Sequence, residues 1–156
     1  MANQQQFCTF FLDSQYFGVP VQQVQEVIRY QEMTRVPLVP GAIRGLINLR
    51  GQIVMAIDLR RRLGMEDRLD CALPMHVVVR SDEGAVSFLV DEIGDVLEVG
   101  EDGFEPPPSN VPGEVRSLIL GVHKLSERLM HVLDVCKACD LTESGEPTPE
   151  SMVAPV

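Results

Sequence analysis

The side chains with chemical reach in this 156-residue chain are four cysteines, three histidines, 23 carboxylates and a small set of arginines. Cys136-Lys137-Ala138-Cys139 has the spacing of a thiol pair. Zinc would need a second ligand pair, and a redox motif would open a helix after a strand in a βαβ setting. Here the pair lies at the end of the last predicted helix, so packing against the core as small hydrophobes is the expectation. A thiol or metal protein built on Cys136 and Cys139 stands as the alternative from another functional class. Cys8 and Cys71 complete no disulfide framework, which suits a reducing compartment. His76, His123 and His131 fall on or beside predicted strands without a partner at metal-ligand spacing, and read as core or surface histidines. The sequence has no Gly-rich phosphate loop, Gly-x-Ser-x-Gly elbow or His-Glu-x-x-His pair, and its spacing singles out no pair of carboxylates. Neither an enzyme nor a cofactor is expected.

A net charge of −10 and a pI near 4.6 repel phosphate backbones, so nucleic acid is not an expected partner. The one basic run, Arg60-Arg61-Arg62, is expected to be the solvated face of a short helix rather than a phosphate site. No apolar run approaches the ~20 residues of a membrane span. The first residues, Met-Ala-Asn-Gln-Gln-Gln, lack the basic start of a secretory signal. A soluble, cytoplasmic protein with no direct membrane insertion is expected.

The elements that must position any site centre on residues 43–63. Apolar and β-branched residues flank Arg50-Gly51-Gln52, predicting a hairpin whose corner uses Gly51 for a positive φ. Asp58 precedes Leu59 to Leu63 as the N-cap of a helix start. Arg50 is unusual, because most turns would carry Asn, Asp or Gly there. Elsewhere, residues 7–12 and 16–19 read as a hairpin joined by Asp13-Ser14-Gln15. Val21, Val24, Val27 and Ile28, spaced by threes and fours, predict a short helix begun by Pro20. Arg29 to Val36 is expected to return to extended structure, and Pro37 and Pro40 bracket a loop. A further hairpin is predicted over residues 75–90 around Ser81 to Gly84. Val90, Ile93, Val96 and Leu97 then repeat the helical spacing.

The two halves of the chain match. Val24, Glu26, Val27 and Pro37 fall on Ile93, Asp95, Val96 and Pro106 at one offset. Gly45, Leu49, Ile57 and Asp58 fall on Gly121, Leu125, Leu133 and Asp134 at a slightly larger one. Two similar β-lobes follow, with the best internal boundary near Pro74. Arg50 has no apolar-flanked Arg-Gly counterpart in the second half, where Ser126-Glu127-Arg128 stands, so function is expected to be asymmetric. Residues 142–156, rich in Pro, Glu and Ser, read as a disordered acidic tail.

Val24-Gln25-Glu26-Val27-Ile28-Arg29, Pro37, Ile43 to Gly51 with its Asn-Leu-Arg-Gly corner, and Ile57-Asp58-Leu59 closely resemble the CheW family of bacterial chemotaxis coupling proteins. The resemblance covers about residues 7 to 141, and the CheW-like domain is drawn over 1–141. It implies an all-β fold with short helices: two five-stranded, Src-homology-3-like β-barrel lobes around a shared apolar core. Lobe one would run over about 14–72 and lobe two over about 74–141, with the N-terminal strand free to join either. It further implies a scaffold without catalytic activity that binds the cytoplasmic tips of methyl-accepting chemoreceptors and the regulatory domain of a CheA-like histidine kinase, at membrane-associated receptor arrays. Carried over by position, Val24, Glu26, Val27, Gly45 and Arg50 match the family's receptor site, although Gly45 also reads as a bulge or close approach and Val24 as core. Ile53, Val54 and Met55 are the candidates for the kinase surface. Within the same fold, the alternative is an adaptor of a non-flagellar array that controls pili or diguanylate cyclase output.

Overall fold

Alternating apolar and polar residues, punctuated by Asp, Gly and Pro, fold most of the chain into short strands. The computed structural model describes residues 4–140 apart from 38, 70, 71, 83 and 101. The predicted tail over 142–156 and Cys71 lie outside the described residues. In chain order the elements are β1 (Gln4–Leu12), β2 (Gln15–Pro20), one 3-10 turn (Val21–Gln23), β3 (Val24–Ile28), β4 (Ile43–Leu49), β5 (Gln52–Asp58) and α1 (Leu59–Arg62). There follow β6 (Met75–Ser81), β7 (Gly84–Val90), β8 (Glu92–Gly100), β9 (Phe104–Glu105), α2 (Gly113–Arg116), β10 (Ile119–Lys124), β11 (Leu129–Leu133) and α3 (Val135–Cys139).

The strands make two sheets, β3-β6-β7-β5-β4 and β8-β1-β2-β11-β10-β9. The first five strands of each correspond one to one, β3 with β8, β4 with β10 and β5 with β11. The hairpin β6–β7 takes the place in the first sheet that β1–β2 takes in the second. Both sheets have one parallel pair, β5 with β7 and β11 with β2. Asp58 and Asp134 each cap the helix after the corresponding strand, accepting from the N–H of Arg60 and of Lys137. The internal duplication expected from residue classes is thus a duplication of topology, and the all-β, two-lobe expectation holds. The sixth strand, β9, is only two residues long, and its counterpart in the first lobe is the isolated bridge between Thr34 and Leu46.

The lobes do not divide as sequence order suggests. Each half of the chain lends its hairpin to the other half's sheet, so the boundary near Pro74 falls inside the first sheet. The N-terminal strands join β8 and β11. A strand's partner is chosen by the face it can bury, which proximity in sequence does not specify. The consequence is one continuous core: Phe10, Leu12 and Phe17 from the first hairpin pack in the same cluster as Ile57, Phe88 and Leu133.

Two predicted helices are strands. After a single 3-10 turn the segment from Val24 is β3, and Ile93 to Leu97 lie in β8. Each strand carries a register shift, between Val24 and Glu26 in one and between Ile93 and Val96 in the other. A bulge adds one residue to a period of two, so apolar positions come three apart and imitate a helix. The β-branched side chains decide for the strand. Residues 29–36 form no named strand, and their one ladder contact is at Thr34.

Candidate functional site

The hairpin β4–β5 closes through Arg50 and Gly51, both in the left-handed region at φ 52° and 87°. Two such residues fit the mirror-image turn that two-residue hairpin loops prefer. The Asn48 side chain secures it by accepting from the Gly51 N–H at 2.9 Å. For Gly51 this conformation is free. For Arg50 it costs on the order of 1 kcal/mol. The Arg50 side chain is 71% exposed, and its guanidinium pairs with Glu26, whose side chain is only 19% exposed.

That pair defines the shape of the lobe. Glu26 belongs to β3 and Arg50 to the tip after β4, the two opposite edges of the sheet, so the sheet must coil until its edges meet. The interior at this end is a small cluster of Ile47, Leu49, Val54 and Val78, with Ile28 and Met33 packed on it. Glu26 is two residues before Ile28 on β3, and so on the same face.

The other sequence-predicted residues divide. Val27 is 37% exposed and adds apolar surface beside Glu26. Val24 is half-buried against the shared core. Gly45 is buried, and a Cβ there would fall 2.6 Å from the carbonyl oxygen of Thr34. Its absence lets the linker pair with β4, Thr34 and Leu46 exchanging two N–H···O bonds of 2.8 Å. Gly45 therefore shapes the site without surfacing in it. Of the three kinase candidates only Ile53, 63% exposed, offers surface; Val54 is fully buried, and Met55 is half-buried on the shared core. The continuous apolar run does face two ways, but the alternate side is covered.

At the second lobe's tip, Arg128 lies over Phe11 and Tyr16, 5.5 and 4.9 Å from the ring centroids. Asp95, the counterpart of Glu26, makes no ion pair among the described residues. The two corner arginines thus have different surroundings, a carboxylate for Arg50 and aromatic rings for Arg128.

The basic run is not a solvated face. Arg60 pairs with Asp91, Arg61 with Asp67, and Arg62 is buried. Arg62 donates to the carbonyls of Lys137, Ala138 and Asp140 at 2.7, 3.1 and 2.8 Å, closing the C-terminal end of α3. Asp91 also accepts from Arg68 at 3.0 Å and from the Asp13 N–H at 2.6 Å. Burial alone would raise the Asp91 carboxyl, but the Arg60, Asp13 and Arg68 hydrogen bonds outweigh it and hold it below the usual carboxylate range. The fully buried Asp58 pairs with Arg68 at 3.0 Å and more loosely with Arg44 at 3.5 Å. No sequence signal marked Arg68 or Asp91, whose partners are 10 to 78 residues away.

His76 and His123 are buried in β6 and β10. His131, in β11, has Nδ1 2.9 Å from the Tyr16 carbonyl. Cys139 packs against the shared core, but Cys136 is exposed, so the packing expected for both thiols holds for one. Among the described residues no group of three or more His, Cys, Asp or Glu is placed to hold a metal ion, and no helix is long and apolar enough to cross a membrane.

Two coiled β-lobes exchange hairpins, and one of them carries a strained, exposed arginine corner. The model of the CheW-like domain matches residues 6–142, and the chain belongs to the CheW family. It is 30% identical over 141 residues to the chemotaxis protein CheW of Bacillus subtilis, covering 90% of each chain. To the chemotaxis protein CheW of Thermotoga maritima it is 30% identical over 129 residues, covering 83% of each. The crystal structure of the scaffolding protein TtCheW from Thermoanaerobacter tengcongensis shares the fold, with a TM-score of 0.79 at 24% identity over 90% of this chain and 94% of that one.

Proposed function

We propose that this protein is a non-enzymatic chemotaxis scaffold that couples the cytoplasmic tips of chemoreceptors to the regulatory domain of a CheA-like histidine kinase. It acts in the cytoplasm and is recruited to membrane-associated receptor arrays. The receptor contact is the Glu26–Arg50 corner with Val27 beside it, built on Gly45 and Val24, and Ile53 is the apolar residue offered to the kinase. The observation that carries the reading is Arg50, which is kept in a left-handed turn at a cost and left mostly exposed. Its pairing with Glu26 does not account for that, because an exposed ion pair contributes only about 0–1 kcal/mol. A guanidinium so placed can exchange Glu26 for a carboxylate or carbonyl of a partner.

The test is Arg50→Glu. Circular dichroism and urea titration should show a folded protein, since an exposed turn residue changes stability by about 0.5 kcal/mol. Titration calorimetry with a receptor-tip fragment should show a loss of about 2–5 kcal/mol of binding, with kinase affinity largely kept. Unchanged receptor binding would remove Arg50 from the contact.

A further inference from the structure

The linker between β3 and β4 forms, with the start of β4 and α1, an open groove of about 470 Å³ that shares no residue with the Glu26–Arg50 corner. Its apolar walls come from Met33, Val36 and Ile43, and its charged lining residues are Arg35, Arg44 and Arg61, without a carboxylate among them. In a chain of net charge −10, three guanidiniums lining one groove make a local positive rim, with Asp67 beside Arg61 at its edge. The three are not equivalent. Arg61 shares its charge with Asp67, and Arg44 reaches the buried Asp58 only at 3.5 Å. Arg35 is exposed and makes no ion pair among the described residues.

We propose that this groove is a docking site for an acidic segment of a partner protein, one that sets an apolar side chain between carboxylates. The apolar residue would cover Met33, Val36 and Ile43, and the flanking carboxylates would meet Arg35 and Arg44. Guanidinium forks match carboxylates bidentately, and a positive rim inside a negative surface speeds the approach of an acidic partner while repelling it elsewhere. Nucleic acid has the same sign of charge but the wrong shape of complement: the chain's overall field opposes a long polyanion, whereas a short acidic segment meets only the rim.

The probe is a short fluorescein-labelled peptide of alternating glutamate and leucine, with a lysine–leucine peptide as its charge-reversed counterpart. Binding to the full chain is followed by anisotropy, and amide shifts are mapped on the unlabelled complex. The acidic peptide should bind and should shift Tyr30, Met33 and Arg44 resonances. It should weaken with added salt and lose roughly fivefold or more in affinity in Arg35→Glu. Arg80→Glu, a charge change outside the groove, should leave it unaltered. No binding, equal binding of the lysine peptide, shifts elsewhere, or indifference to Arg35→Glu would each overturn the proposal. Tighter binding of a DNA duplex that is lost in Arg35→Glu would overturn it in favour of nucleic acid. The shift map on the parent protein decides the matter even where a variant misfolds. Because the probe contains neither receptor nor kinase, its failure leaves the scaffold reading untouched.

Discussion

Arg50 occupies a backbone conformation better suited to glycine, so its effects on stability and on binding can be separated. In Arg50→Gly the turn relaxes by about 0.5–1 kcal/mol while the exposed pair with Glu26 is lost at about 0–1 kcal/mol. The urea midpoint should therefore scarcely move, while receptor binding falls as far as in Arg50→Glu. A large stability loss would mean that the corner serves folding. Arg128 gives the opposite profile. Its stacking on Phe11 and Tyr16 is worth about 0.5–1 kcal/mol at an exposed site, so Arg128→Ala should lower the unfolding free energy by that amount and leave receptor titrations unchanged. From the sequence, Arg128 was only a weak counterpart of Arg50; that it lies against rings from another part of the chain is a tertiary fact.

At the scale of elements, the linker after β3 is pinned by a histidine. His76 Nε2 accepts the Gln31 N–H at 3.1 Å, and Nδ1 lies 2.7 Å from the Ser87 hydroxyl. An acceptor must be unprotonated, so the neutral tautomer with the proton on Nδ1 fits both contacts. Burial lowers the His76 pKa below its ordinary value. The unfolded chain then binds more protons than the folded one below about pH 6.5. Stability is full above that value and declines as pH falls from there towards the lowered folded-state pKa. Comparing urea midpoints at pH 7.5 and near pH 5.5 should show the decline, reduced in His76→Gln. His123, also lowered by burial, contributes in the same direction, so its Gln variant is the companion measurement. Asp91 contributes in a separate, lower window: its folded pKa is depressed, so its share is lost only as pH falls below about 4. At the C-terminal end of α3 the tie is Arg62. Arg62→Leu would remove three hydrogen bonds at its end, to the carbonyls of Lys137, Ala138 and Asp140, and a loss of about 2–3 kcal/mol in the unfolding free energy is expected. A change below about 0.5 kcal/mol would show that water replaces the guanidinium.

For the whole molecule, exchange of hairpins makes the lobes mutually dependent. The first sheet lacks its centre without β6 and β7, and the second lacks its centre without β1 and β2. Fragments 1–73 and 74–156 should therefore be unfolded when made separately and regain dispersed amide resonances when mixed. A folded lone fragment would contradict the dependence. The sequence by itself determined the hairpins, the helix cap at Asp58, the matched halves and the odd arginine at residue 50. All of these are written in local chemistry, in turn residues, capping carboxylates and the period of apolar side chains. It misjudged β3 and β8, because a bulge changes the period that distinguishes strand from helix. Only the tertiary structure decided which hairpin joins which sheet, that Glu26 meets Arg50 across a coiled sheet, that Arg60 and Arg62 are tied to distant groups, and that of residues 53–55 Ile53 is the exposed one while Val54 is buried. Those outcomes depend on which surfaces become buried against each other, and burial is a property of the assembled core that no window of sequence contains.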